Sequence, residues 1–240
     1  MSNLFQLRLA KIFYSVTHPK CWKALQNRVA PSIEHREVIQ SLEPECLLDV
    51  GANRGQFSLM TRVVHPTIPI YAFEPLPSEG AVYQRLFKYQ PKVKFYPIAL
   101  GEKEGIAEIH LSRRADSSSI LPIGELQCKL FPSTDEVGTV QIRMGVLDKI
   151  PEAWSAYRRC LLKLDVQGFE LAVLRGSSEA LKHCAYVYAE CSDVPLYTGQ
   201  ALYPDVAEFL KREGFLPTRR ANEQIVDGKL IQADYLFTRT

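Results

Sequence analysis

Hydrophobic positions along this chain change rhythm repeatedly, from short continuous apolar runs to runs at helical spacing. Cys46-Leu47-Leu48 leads into Asp49 and Val50, glycines follow at Gly51 and Gly55, and Phe57, Leu59, Met60, Val63 and Val64 then recur at helical intervals. That succession predicts a buried strand, a tight loop and a helix. The alternation repeats downstream. Ile68 to Glu74 reads as a strand, Pro77 opens a helix bearing Val82, Leu86 and Phe87, and Val93 to Pro97 is a further strand. Cys160 to Asp165 is a buried strand, followed by a helix carrying Leu171, Val173 and Leu174 that Gly176 stops. Ala185 to Glu190 is a strand and Pro204 to Arg212 a helix. Phe215 to Thr218 and Asp234 to Thr238 are strands, with a turn at Asp227-Gly228 between them. Strands alternating with helices and closing on a hairpin predict an α/β fold: a mostly parallel seven-stranded sheet with one antiparallel edge strand and helices on both faces.

Two regions depart from this rhythm. Residues 3 to 30 place Leu4, Leu7, Ile12, Phe13, Trp22, Leu25 and Val29 at helical spacing, interrupted at Pro19, and Ile33 to Leu42 continues as helix. With Arg8 and Lys11 the first piece is basic and amphipathic, which suits an edge helix or a homo-oligomer contact and also a membrane surface. Between Gly101 and Arg159, Ile106 to Leu111 and Val137 to Met144 alternate as strands around Asp116-Ser117-Ser118-Ser119. This β insertion around 105–145 is expected to act as a lid or substrate loop.

The strand–loop–helix at 46–64 is a seat for a ligand. Gly51 permits a sharp turn and the approach of a ligand where a Cβ would stand, and the loop feeds a helix N-terminus with free N–H groups. Asn53 occupies the middle of the glycine pattern, tolerates a left-handed backbone, and offers its amide to the ligand. Its presence turns the pattern away from a dinucleotide. Glu74, ending the second strand about 20 residues beyond the loop, is placed to accept both hydroxyls of a ribose. Ala99 and Leu100 would flank an adenine ring.

Composition narrows the class. The 240 residues, 46% hydrophobic, suit one α/β domain with decoration. A net charge of +2 with scattered arginine pairs does not suggest a nucleic-acid partner. The six cysteines contain no C-x-x-C pair and read as reduced thiols of a cytoplasmic protein. No apolar run reaches membrane-spanning length, and no signal-peptide core is expected.

D-V-G-A-N-R-G at 49–55, F-E-P at 73–75, S-S-S at 117–119 and L-K-L-D-V-Q-G-F-E at 162–170 resemble the FkbM-type methyltransferases, class I enzymes with a Rossmann-like fold. The resemblance covers roughly residues 45–240, leaving 1–44 as an N-terminal helical extension. It implies S-adenosylmethionine as cofactor and methyl transfer to a hydroxyl of a sugar, glycan or natural-product acceptor. By the match, Asp49, Gly51, Asn53 and Gly55 would hold the methionine end of the donor, with Ala52 beside them. Glu74, between Phe73 and Pro75, would hold the ribose.

Asp165 would lie by the transferred methyl. Lys163, two residues before it on the strand, faces the same way and is expected to hold Asp165 ionised or orient the acceptor. Glu190 ends the neighbouring strand and joins Asp165 as a catalytic candidate. No metal ligands are assigned, although two acidic strand ends could share a divalent cation. Ser118 is placed at the cofactor, and His110 is expected to be structural. The competing readings are an NAD-linked oxidoreductase and a non-catalytic cofactor-binding scaffold. A base methylase is disfavoured, because V-Q-G and not an N-P-P-Y-like turn follows Asp165.

Overall fold

The computed structural model of the chain describes residues 2–18 and 21–240. Pro19, where the sequence predicts a helix break, and the side chain of Arg8 lie outside the described residues. The elements run α1 (Ser2–Thr17), α2 (Trp22–Gln26), α3 (Arg36–Gln40), β1 (Cys46–Val50), α4 (Gln56–Val64), β2 (Ile70–Phe73), α5 (Pro77–Phe87), β3 (Val93–Tyr96), β4 (Ala99–Leu100) and β5 (Gly105–Ser112). There follow α6 (Glu125–Leu130), β6 (Glu136–Gly145), β7 (Cys160–Leu164), α7 (Glu170–Arg175), α8 (Ser178–Leu181), β8 (Cys184–Ser192), α9 (Tyr203–Arg212), β9 (Phe215–Val226) and β10 (Lys229–Arg239).

Seven strands form one sheet in the order β3-β2-β1-β7-β8-β10-β9. Pairing is parallel from β3 through β8, and β10 runs antiparallel to both β8 and β9. This is the Rossmann-like class I methyltransferase fold, with one reversed strand inserted next to the edge as the inner arm of the closing hairpin. The hairpin is longer than its apolar residues indicate. The polar stretch Arg219 to Gln224 is mostly exposed on the edge strand, where Pro217 is also tolerated.

Residues alternate across the sheet. Leu48, Val50, Leu162 and Leu164 pack on one side with Val173, Leu181 and Leu210, while Leu47 and Leu161 pack on the other with Val38, Ile39, Phe57 and Met60. The N-terminal segment shares these cores. Ala24 and Val29 pack with Ala52, Leu59 and Tyr83, leaving Ile12, Phe13, Val16 and Trp22 exposed. No helix among the described residues is long and apolar enough to cross a membrane.

The insertion builds its own sheet, β4-β6-β5, in which Ala99–Leu100 pairs with Met144–Gly145. The short α6 within it has no sequence expectation behind it: six residues are too few to establish a helical period, and Gln127 is buried there. Cys21, Cys46, Cys160, Cys184 and Cys191 are buried cysteines outside any disulfide among the described residues, and Cys128 is a half-buried one.

Candidate functional site

The carboxyl ends of β1, β2 and β7 open onto a cleft of about 1160 Å³, which includes the solvent at its mouth. Parallel strands end there together, so the loops after them converge on one place. Gly51, Ala52, Asn53, Phe73, Glu74, Pro75, Ala99, Leu100, Ser118, Lys163 and Asp165 all line this cleft. Asp49 and Gly55 do not.

Gly51 has φ +74°, as the tight turn requires, but its missing Cβ makes room for protein, not ligand. A Cβ there would stand 1.9 Å from the Asp165 carbonyl oxygen. The loops after β1 and β7 therefore touch and close the floor of the cleft. Asn53 adopts φ +47°, and its Oδ1 accepts the Arg54 N–H at 2.8 Å. Part of the amide expected to face the ligand is thus spent on the loop itself, an Asx-type bond that steadies the turn. Gly55, at φ +93°, caps α4, and a Cβ on it would run into Phe87 and Tyr83 at 2.7 and 2.9 Å. Its role is to let α4 pack against α5.

Asp49 is fully buried beneath the loop. Its Oδ2 accepts from Ser58 Oγ at 2.6 Å, and Lys163 Nζ lies 3.3 Å from its Oδ1. Lys163 also donates to the Gly51 carbonyl at 2.8 Å and stands 3.5 Å from Asp165 Oδ2. Burial pulls its pKa down, and the charges of Asp49 and Asp165 outweigh that, leaving it raised. Lys163 is a charged rivet joining the two loops that form the floor.

Glu74 receives a backbone N–H on each oxygen, Asn53 on Oε2 at 2.9 Å and Leu76 on Oε1 at 2.8 Å. Burial pushes its carboxyl up to about 7, against the pull of those two N–H groups and of Lys163. Asp165 is half exposed. Its Oδ1 accepts from Gln167 Nε2 at 2.8 Å, and the same nitrogen donates to Glu190 Oε2 at 2.9 Å. An amide therefore sits between the two acidic strand ends. Glu190 stands behind the cleft wall, where burial, and then Asp165, raises its pKa, and Gln232 donates to its other oxygen.

Gln167, at φ +54°, is oriented by Tyr197, whose hydroxyl donates to its Oε1 at 2.7 Å, and its carbonyl accepts from Ser119 Oγ at 2.7 Å. Ser118 lines the cleft while its Oγ accepts the Ser112 N–H at 3.0 Å. The S-S-S segment thus ties the insertion to the loop after β7. Glu170 folds back onto the N–H groups of Val166 and Gly168 and shapes that loop. His110 pairs with Glu136 on β6, away from the cleft.

Sequence reasoning did not find the opposite wall. Lys11, Ser32, Glu34 and His35 line the cleft from the N-terminal segment, with Lys11 and Glu34 paired at 2.6 Å. Ile98 and Phe169 add apolar lining beside Ala99 and Leu100. The available signal for Gln167 was its place before Gly168 in the turn after a buried strand, where the backbone takes positive φ at both residues.

Comparison with known proteins places this geometry. The chain is 25% identical over 174 residues, 69% of its length and 72% of the relative's, to the 2-O-methyltransferase NoeI of Sinorhizobium fredii. It is 27% identical over 200 residues, 71% of its length and 72% of the relative's, to the 31-O-demethyl-FK506 methyltransferase FkbM of Streptomyces tacrolimicus. Among solved structures it is similar to magnesium protoporphyrin IX methyltransferase from Synechocystis PCC 6803 with bound SAM, at TM-score 0.47 and 11% identity over 87% of this chain and 81% of that one. Residues 49–217, from the buried aspartate of β1 into the edge hairpin, match the methyltransferase FkbM domain, and the chain belongs to that family.

Proposed function

We propose that this protein transfers a methyl group from S-adenosylmethionine, the donor used by FkbM-type methyltransferases, to a hydroxyl oxygen of a sugar, glycan or natural-product acceptor. One observation carries the reading: Glu74, anchored by two backbone N–H groups, and half-exposed Asp165 face one cleft at the ends of β2 and β7, the strands that flank β1. The printed names of two relatives, both oxygen methylases, support oxygen as the acceptor atom.

The residues present fit this donor. Each Glu74 oxygen retains lone-pair capacity after its backbone N–H, enough to accept two ribose hydroxyls. Ala99, Leu100, Ile98 and Phe169 offer apolar surface for a flat base. The loop at 51–53 meets the methionine end, held in shape by Lys163. When bound, the donor supplies an electrophilic methyl carbon on a positively charged sulfur.

Asp165, beside that position, contributes a negative field and a hydrogen-bond acceptor for the incoming hydroxyl. Full prior deprotonation by a carboxylate is excluded on magnitude. An aliphatic hydroxyl near pKa ~15.7 and a carboxyl near ~3.9 differ by about 16 kcal/mol. The proton leaves as the O–C bond forms, and much of the rate comes from alignment.

Incubation with isotope-labelled donor and a panel of glycosides and hydroxyl-bearing macrolides, read by mass spectrometry, tests the reading. Label on an oxygen of one acceptor is the expected result. Binding of NADH with none of S-adenosylmethionine would overturn it. Glu74→Ala should weaken donor binding, whereas Asp165→Asn should retain binding and lose turnover, which separates an enzyme from a cofactor-binding scaffold.

A further inference from the structure

We propose that His35 is the base that takes the acceptor's proton and that Asp234 positions it. The proposal rests on the methyl-transfer reading above and names the group that this reading leaves open. His35 closes the 3-10 turn Ile33–His35, ahead of the segment that matches the family, yet it lines the same cleft as Glu74 and Asp165.

One ring nitrogen is fully engaged. Nδ1 lies 3.1 Å from Tyr188 Oη and 3.5 Å from Asp234 Oδ2, the groups that can accept its proton, and 3.1 Å from Asn222 Nδ2, an amide donor that bonds Nδ1 only in the opposite tautomer; the three stand on β8, β10 and β9 behind the cleft wall. No hydrogen bond engages Nε2 among the described residues. The ring is clamped by Phe57 at 5.3 Å and edge-on by Tyr188 at 5.6 Å between centroids. Phe57 in turn lies under Lys163 Nζ at 5.8 Å, so a single aromatic ring separates His35 from the floor that carries Asp165.

The support behind His35 is built at some cost. Asn222 holds φ +50°, and the β9–β10 register slips between Gln232 and Asp234. That irregularity sends Asn222 Nδ2 onto Asp234 Oδ2 at 2.7 Å and toward the imidazole. A bulge that re-aims a side chain at a cleft is characteristic of functional sites.

Asp165 is the weaker candidate for the proton. Lys163 and Gln167 both donate toward its carboxylate and occupy part of its acceptor capacity. An ordinary imidazole near pKa ~6.5 also narrows the gap to an alcohol by about 2.6 units relative to a carboxylate near ~3.9. The charged groups around the ring are Asp234 behind it, the Glu34–Lys11 pair beside it, and Asp165 with Lys163 beyond Phe57.

In the step, an acceptor oxygen lone pair forms the bond to the methyl carbon while the carbon–sulfur bond breaks. Its electron pair stays on sulfur as a thioether, and the O–H proton passes to His35 Nε2. Asp234 balances the resulting imidazolium, which returns its proton to water after product leaves.

Nitrogen-15 NMR of histidine-labelled protein, alone and with S-adenosylhomocysteine, reads the tautomer directly. The proposal expects the neutral ring to carry its proton on Nδ1, with Asp234→Asn shifting it toward Nε2 and Asp234→Glu restoring Nδ1. A neutral wild-type ring protonated on Nε2 would overturn it. On the hydroxyl acceptor that wild type methylates, His35→Gln should lower kcat by roughly 10²–10⁴-fold with the S-adenosylhomocysteine affinity unchanged, and imidazole should restore part of the rate of His35→Ala. A kcat for His35→Gln within about threefold of wild type would refute it. Failure of wild type to bind S-adenosylhomocysteine would instead sink the methyl-transfer reading, and the tautomer would still decide the state of His35.

Discussion

Glu74→Gln, followed through pH, tests the ribose assignment on energetic grounds. Glu74 is 6% exposed, and burial lifts its carboxyl from an ordinary 4.5 to about 7. A rise of about 2.5 units corresponds to about 3 kcal/mol against the ionised form. The sign follows directly. A carboxyl with a folded pKa above its unfolded one favours the fold at low pH, and that contribution is lost as pH rises from 4.5 through about 7.

Ribose hydroxyls donate to the ionised carboxylate, so donor binding below pH 7 must also drive ionisation. Affinity should therefore weaken about tenfold per pH unit below 7 and level off above it. Glutamine is neutral throughout and abolishes that slope. Its NH₂ must also face either the Asn53 or the Leu76 N–H, both of which now point at oxygens, at a cost of about 1–3 kcal/mol. At about pH 8, S-adenosylhomocysteine should bind the variant roughly 10–100-fold more weakly, since hydrogen bonds to a charged group are worth about 1.5–3 kcal/mol.

Calorimetry from about pH 5.5 to 8.5, in two buffers of different ionisation heat, measures both the slope and the protons released. Glu170, also pushed up to about 7 by burial, is the control: Glu170→Gln should leave the slope intact, because its carboxylate serves the loop after β7. A wild-type affinity that is flat across the range, or a Glu74→Gln variant with the wild-type slope, would refute the reasoning.

Three further outcomes follow from the floor of the cleft. Gly51→Ala brings a Cβ to 1.9 Å from the Asp165 carbonyl at a positive φ, so Tm and donor affinity should fall together, by the order of 1–3 kcal/mol at least. Lys163→Met leaves the buried Asp49 carboxyl with Ser58 as its one side-chain partner among the described residues. It should cost about 3–5 kcal/mol in urea unfolding, and Asp49→Asn in the same chain should recover much of that. Tyr197→Phe removes the hydroxyl that holds Gln167, which should lower turnover more than donor affinity and reduce stability by about 1–2 kcal/mol.

Much of the cleft floor was legible in the chain because its requirements are local. Asp49 to Gly55 encodes a strand, a left-handed turn and a helix start within ten residues, and Glu74 follows one strand later. Even there the reasons were partly others. Gly51 yields space to the Asp165 carbonyl, Gly55 to Tyr83 and Phe87, and Asn53 spends its oxygen on Arg54. A sequence shows that a residue must be small, and only the fold shows what fills the space.

The polar cluster around His35 was not legible. His35, Asn222 and Asp234 are separated by up to 199 positions, and nothing in their spacing connects them. They meet because β10 inserts antiparallel between β8 and β9, and because a register slip in that hairpin turns Asn222 toward the imidazole. By itself, the sequence determined the elements, since apolar periodicity and backbone preferences act over a few residues, and through them the loop after β1. Only the tertiary structure decided which polar side chains share a buried space, because that depends on strand order and register, which no short stretch of chain contains.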